Sequence, residues 1–303
     1  LATDGAASAL ALVAAATLEP GDEVLLPDPV DFLFRTAVER AGATPVPVPL
    51  DRATTGPDHV EALARRLTPR TRMLWLCNPH NPLGRAFGRD WLQAVGAWAV
   101  EHGLRILVDE VWSDIVYPPA RHVSLASLSP AIAARVATVH GFSKGYGLAG
   151  LRIGCIVCTD ERWREALLLG SGATSTLAGA SVLSQAAAVA ALDGGSDWLR
   201  GFLEHLRQQR DLAVARMARW PGVRVTAPES TFVLLADVRA LTTDAAAWCE
   251  TLRREARVAL VPGGRRWFGE ASEGHVRLSF ATSREILGEA LDRVEDWLRG
   301  RVG

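Results

Sequence analysis

Short, unbroken apolar runs alternate with segments of helical period along the first half of this chain, and that rhythm restricts its fold more than any other feature. Strand-like runs fall at residues 23–26, 44–48, 72–77, 105–108, 136–140 and 153–157. Helical patterns at 8–18, 32–41, 59–67 and 89–102 lie between the earlier ones, and Gly42 and Gly103 close two of them. Strands that are apolar throughout, rather than at every second position, are buried on both faces, so the rhythm predicts a mostly parallel sheet covered by helices. After residue 160 the pattern changes. Long helical patterns at 177–192 and 197–219 are separated by Asp193-Gly194-Gly195-Ser196. Strands at 223–225, 231–235, 259–261 and 275–280 then accompany helices at 244–255 and 283–298, as in a small α+β lobe. The length of 303 residues suits a large domain, 1–193, followed by a smaller one, 194–303.

Charge narrows the partners. A formal net charge of −1 gives no basic surface for nucleic acid or an anionic membrane. The longest apolar stretch, residues 9–18, falls short of the ~20 residues that span a bilayer, and no basic segment precedes it. The first residue is Leu and the chain runs at once into a glycine turn, so a missing start is expected. Cys155 and Cys158 form a CxxC, but strand alternation would aim the two thiols to opposite faces, and no His or second pair accompanies them. Free thiols in a reducing, cytoplasmic setting, with no metal, are expected.

Lys144 is the single lysine among 33 basic residues. Arginine serves as a surface cation equally well, but it stays protonated and cannot act as an amine nucleophile. Lys144 lies in His140-Gly141-Phe142-Ser143-Lys144-Gly145-Tyr146-Gly147, a turn between two apolar runs. This context marks it as a Schiff-base lysine. Two other segments follow strand-like runs: Cys77-Asn78-Pro79-His80-Asn81-Pro82-Leu83-Gly84, and Asp109-Glu110-Val111-Trp112. Polar residues past the carboxyl ends of neighbouring parallel strands converge on one crevice, so Asn81, Asp109 and Lys144 are expected to meet. An amine, a carboxylate and an amide are the groups pyridoxal phosphate needs: an imine partner, a counterion for its ring nitrogen and a donor to its ring oxygen. Gly5-Ala6-Ala7 opens the first helix and offers amides to a phosphate, and Arg152 offers a fork.

The three motifs, in this order, resemble the class I/II aminotransferases, fold-type I pyridoxal-phosphate enzymes, across nearly the whole chain. Residues 76–82 and 277–282 are most similar to the cystathionine β-lyase-like C–S lyase subgroup. The resemblance implies an α/β fold with a mostly parallel seven-stranded sheet. It implies that Lys144 forms the Schiff base with pyridoxal 5'-phosphate, Asp109 pairs the ring nitrogen, Asn81 donates to the ring oxygen and Arg152 contacts the phosphate. Gly5, Ala6, Ala7, Trp112 and Ser143 complete the expected cofactor set. Arg277, with Asn81, is expected to hold the α-carboxylate of an amino-acid substrate, and a homodimer is implied.

Several positions depart from the family pattern. Trp112 replaces the usual Tyr or His, Gly141 lacks a hydroxyl, and Asp31 stands where an aromatic side chain usually stacks on the cofactor ring. Burying an unpaired carboxylate against a ring face costs several kcal/mol, so Asp31 is expected to turn away and leave Phe32 or Phe34 to cover the ring. Gly145-Tyr146-Gly147-Leu148-Ala149-Gly150 spells GxGxxG, but it neither follows a strand directly nor opens a helix, which excludes a dinucleotide fingerprint. Transamination is the expected activity, with C–S β-elimination as the alternative. A sensor domain cut from a transcription regulator is a third reading, and it requires a basic segment upstream.

Overall fold

The computed structural model describes residues 1–175 and 179–300. Seven strands form the main sheet: β1 (Ala2–Thr3), β2 (Glu23–Asp28), β3 (Thr44–Pro49), β4 (Thr71–Cys77), β5 (Arg105–Asp109), β6 (Val136–Gly141) and β7 (Gly154–Cys158). Their order is β1-β7-β6-β5-β4-β2-β3. The block from β3 to β6 is parallel, and β7 runs antiparallel to both β6 and β1. The intervening helices are α1 (Ala6–Thr17), α2 (Phe32–Arg40), α3 (Gly56–Ala64), α4 (Arg89–Glu101), a single turn α5 (Pro130–Ala133) and α6 (Glu161–Gly170). The mostly parallel sheet expected from the sequence is thus present, with the seven strands that the family resemblance implied. The sequence reading did not include β1, α5 or α6: β1 has two residues and α5 is a single turn, whereas α6 carried a legible start in the Asp160 cap.

Strand β4 shows why both faces must be covered. Met73, Trp75 and Cys77 join the core formed with α1, α2 and α6, whereas Leu74 and Leu76 point into a second core with α3 and α4. All five side chains are 2% exposed or less. Burying a large apolar side chain contributes about 1.5–3 kcal/mol, so one strand of this kind anchors both layers. The apolar run at 73–77, just after Arg72, carried this information, because only a central strand is apolar at five successive positions.

Helices α7 (Val182–Gly194) and α8 (Ser196–Met217) meet at Gly195, which caps both. The helix expected from residue 177 starts later, at Val182, and its first two expected positions, Leu177 and Ala178, lie outside the described residues. A four-stranded antiparallel sheet follows, in the order β10-β11-β9-β8, from β8 (Arg224–Val225), β9 (Val233–Asp237), β10 (Val261–Pro262) and β11 (His275–Ser279). Helices α9 (Ala245–Glu255) and α10 (Arg284–Arg299) pack with α8 against it. A division at residues 193/194 remains our proposal, and the cap shared at Gly195 supports it. The two lobes are joined at more than one place: the amides of Val30 and Phe32 donate to the carbonyls of Phe268 and Trp267 at 2.7 and 2.9 Å, and a second seam runs through Gly84. The Gly84 carbonyl accepts from the amides of Glu229 and Ser230, at 2.7 and 3.1 Å. The Tyr117 hydroxyl donates to the Thr231 carbonyl at 2.7 Å.

Where β7 passes the start of α1, only glycine fits. A Cβ on Gly154 would stand 2.9 Å from the His140 carbonyl oxygen and 3.1 Å from the Ala6 nitrogen. Both are backbone atoms, so relief requires moving β6 or the first turn of α1. Gly154→Ala should lower stability by about 2 kcal/mol or more, as overpacking against backbone does. Gly150→Ala, where a Cβ would meet nothing within 4 Å, is the control. Denaturant unfolding of the two variants measures the difference, and equal midpoints would show that the first turn of α1 is free to shift.

Candidate active site

A cavity of about 350 Å³ opens at the carboxyl ends of the parallel strands and is roofed by the small lobe. Asp109 is the last residue of β5, and Asn81 lies in the loop after β4. Lys144 sits in the turn that follows β6, and Arg277 is the central residue of β11. Gly5, with φ of 82°, caps α1 without a side-chain bond, so the first-turn amides face the cavity, where Gly5, Ala6 and Ala7 form one wall. Trp112, Ser143 and Arg152 also border it. The ten residues singled out from the sequence therefore surround one space.

Burial governs the charges there. Asp109 is 6% exposed, and among the described residues its Oδ1 accepts the Val111 amide alone, at 2.9 Å. Desolvation pushes its carboxyl up to about 7; the Val111 amide and Lys144 act against this, while Asp31 and Glu110 add to it. Desolvation also pulls the Lys144 amine below its ordinary value, an effect Asp31 opposes, Arg277 reinforces and Asp109 opposes. The Lys144 Nζ lies 5.1 Å from the Trp112 ring centroid and 5.8 Å from that of Phe232, so two aromatic faces line its surroundings. Arg277 donates from Nη1 to Asn81 Oδ1 at 2.9 Å and packs over Phe268 at 4.8 Å, while its Nε is buried without a partner among the described residues.

Asp31 corrects an expectation. It does not turn away: it borders the cavity, its Oδ2 accepting from Asn81 Nδ2 at 3.0 Å and its Oδ1 from the Leu33 amide at 3.2 Å. The argument from an unpaired carboxylate fails because this carboxylate is paired twice. Phe32 packs edge-on against Trp267, and it is Phe34 that reaches the cavity. Phe232 and Cys77 were missed as well. Phe232 comes from the distant lobe and carried no local signal, whereas an Asp just before the Phe-Leu-Phe run was legible as a helix N-cap. His80 lies in the second core beside Phe87, away from the cavity, and His140 meets the Ser113 hydroxyl at 3.3 Å. Residues 145–150 form the lysine turn and lead into a short 3₁₀ turn and β7.

The buried Asp109 predicts a pH signature in cofactor-free protein. An unfolded Asp titrates near 3.9 and this one at about 7, so the folded chain holds the proton more tightly. The contribution to stability is fully present below the unfolded value and is lost as pH rises toward 7. Between pH 5 and 8 the wild type should lose on the order of 2–3 kcal/mol relative to Asp109→Asn, which cannot titrate there. Urea unfolding of both proteins at the two pH values measures this, and parallel pH profiles would contradict it.

Comparison with known proteins agrees with the geometry. A family model, aminotransferase class I and II, matches residues 1–294. An aspartate aminotransferase of Pinus pinaster is 32% identical over 300 residues, covering 94% of this chain and 59% of the pine protein. Another, from Musicola paradisiaca, is 33% identical over 297 residues, covering 98% of this chain and 73% of the relative. The crystal structure of a PLP-bound putative aminotransferase from Clostridium difficile superposes with a TM-score of 0.91 at 26% identity, covering 98% of this chain and 77% of that one. These relatives are named as aminotransferases and do not single out the C–S lyase subgroup. The chain belongs to the class I and II aminotransferases, the pyridoxal-phosphate family of fold type I.

Proposed function

We propose that this chain transfers the amino group of an amino acid to a keto acid, with Lys144 as the Schiff-base residue and reaction base. The observation that carries the reading is the placement of the only lysine in one cavity with a buried carboxylate, an amide and a half-buried guanidinium. The donor set fits pyridoxal phosphate. Asp109 has a single backbone donor and gains a partner from a cationic N–H, and the glycine cradle at Gly5 and Gly154 leaves the α1 amides open. Asp109 would hold the ring nitrogen, the second N–H of Asn81 the ring oxygen, and the α1 amides with Ser143 and Arg152 the phosphate. Bound there, the cofactor supplies an electron-accepting ring for the carbanion formed at the substrate α-carbon.

The protein's own groups divide the remaining work. The desolvated Lys144 amine is neutral more often than a surface lysine and so is available as a nucleophile, then as carrier of the α-proton. Trp112 and Phe232 flank it and exclude water from the path of that proton. Arg277 would grip the substrate α-carboxylate, and its bond to Asn81 fixes the direction of the fork. Elimination of a thiol shares the same proton removal, and the likeness of residues 76–82 and 277–282 to the C–S lyases makes it the second reading. The two relatives named aspartate aminotransferases make aspartate the first substrate to test. A homodimer, supported by the exposed apolar side chains of Val182, Leu183 and Leu192 on α7, and a cytoplasmic setting, supported by four free thiols, are part of the proposal.

Borohydride reduction of cofactor-loaded protein should leave a pyridoxyl group on Lys144, located by peptide mapping, and none in Lys144→Arg. That variant keeps the charge but lacks the nucleophile, so its kcat should fall by at least roughly 10³. Glutamate formed from 2-oxoglutarate identifies transfer, and pyruvate with free thiol identifies elimination. Reduction without incorporation would end the reading. Arg277→Ala should raise KM by about 10- to 100-fold and lower kcat too, because the clamp both binds and orients. Amines without a carboxylate reacting as well as amino acids would remove Arg277 from that role.

A further inference from the structure

The bonds around Asn81 run in one sense. Its Nδ2 donates to Asp31 Oδ2 at 3.0 Å, and its Oδ1 accepts from Arg277 Nη1 at 2.9 Å. Asn81 is 6% exposed, so neither end is satisfied cheaply by water. A side-chain amide has one donating and one accepting end. Flipping it would turn N–H groups toward a guanidinium that can only donate, and a carbonyl toward a carboxylate that can only accept. Asp31 is itself fixed, because it caps α2 through the Leu33 amide. The chain of contacts thus begins at a helix cap, passes through one amide and ends on the arginine of the other sheet.

We infer that Asp31 is a positioning residue: by holding the donor end of Asn81, it sets that amide's sense and thereby aims the Arg277 fork at a substrate carboxylate. The inference rests on Arg277 being the clamp. It assigns a use to an acid that stands where an aromatic ring is usual, and it requires an acceptor at position 31 more than it requires a charge.

That distinction gives the test. Asp31→Asn and Asp31→Ser both remove the charge; Ser keeps the cap, and Asn, whose single oxygen goes to Asn81, gives up one cap bond, too small a loss to unfold α2. The Asn side chain still presents an oxygen at the length that reaches Asn81, and the Ser side chain does not. In Asp31→Asn that bond should be kept, because losing a bond to a buried amide costs more than losing one to the exposed Leu33 amide. The probe is propionate, a carboxylate without an amine, titrated into cofactor-free protein by calorimetry and into loaded protein by its effect on cofactor absorbance. Propionate should bind Asp31→Asn roughly 5- to 20-fold more tightly than Asp31→Ser. In an Asn81→Ala background the two should agree within about twofold, since the coupling then has no carrier.

Equal affinities of the two variants with Asn81 in place, or a difference that persists in Asn81→Ala, would overturn the inference, the first pointing to charge alone. Arg277→Ala in the same titration separates the two readings. Loss of propionate binding there, with no difference between the Asp31 variants, defeats the Asp31 inference and leaves the clamp. Unchanged binding in Arg277→Ala defeats both. Should Asp31→Ser fail to fold, Asp31→Gly, which also caps helices but offers no acceptor, takes its place in the same comparison.

Discussion

Charge held away from bulk water is the constraint around which this molecule is arranged. Asp109, Lys144 and Arg277 are each desolvated, and each departs from its ordinary titration for that reason. A buried charge needs partners at fixed distances, and fixed distances need rigid supports. The supports are the ends of β4, β5 and β6, which are locked from both sides by apolar layers, and a strand of the second sheet. The small lobe is thus part of the electrostatics as well as a lid, since Arg277 and Phe232 both come from it.

The Gly84 seam between the lobes follows from the same need. Gly84 ends the asparagine-bearing motif, and a Cβ there would stand 2.4 Å from Pro228 Cβ. Its carbonyl meanwhile takes two amides from residues 229 and 230. The loop that carries Asn81 is therefore tied to the chain leading into β9 and Phe232. Loop and roof keep a common register, and a displacement of one is felt by the other.

Much of this was legible in the sequence, because the signals were local or periodic. Apolar runs without alternation announced the central strands, and glycines marked the helix ends. Asn81, Asp109 and Lys144 could be placed together because each follows a strand of one parallel sheet, a topological rule that needs no coordinates. What stayed hidden depended on contacts distant in the chain. Asp31 was expected to turn away because its partner Asn81 is 50 residues further on, and a carboxylate looks unpaired until that amide is in place. Phe232 stands just before a strand of the other sheet. The two-residue β1 is defined by its pairing with β7 and has no pattern of its own.

A solitary lysine in a turn lined by aromatic rings has a practical side. A protease that cuts only after lysine finds one bond in the chain, between Lys144 and Gly145, and Asp114 packs closely against that glycine. In cofactor-free protein, where the Lys144 amine is not engaged, the bond becomes accessible when the turn opens. Within these 303 residues the cut falls between Lys144 and Gly145 alone. The rate of that cut in native buffer is a clock for local opening of the active site, read without any added label.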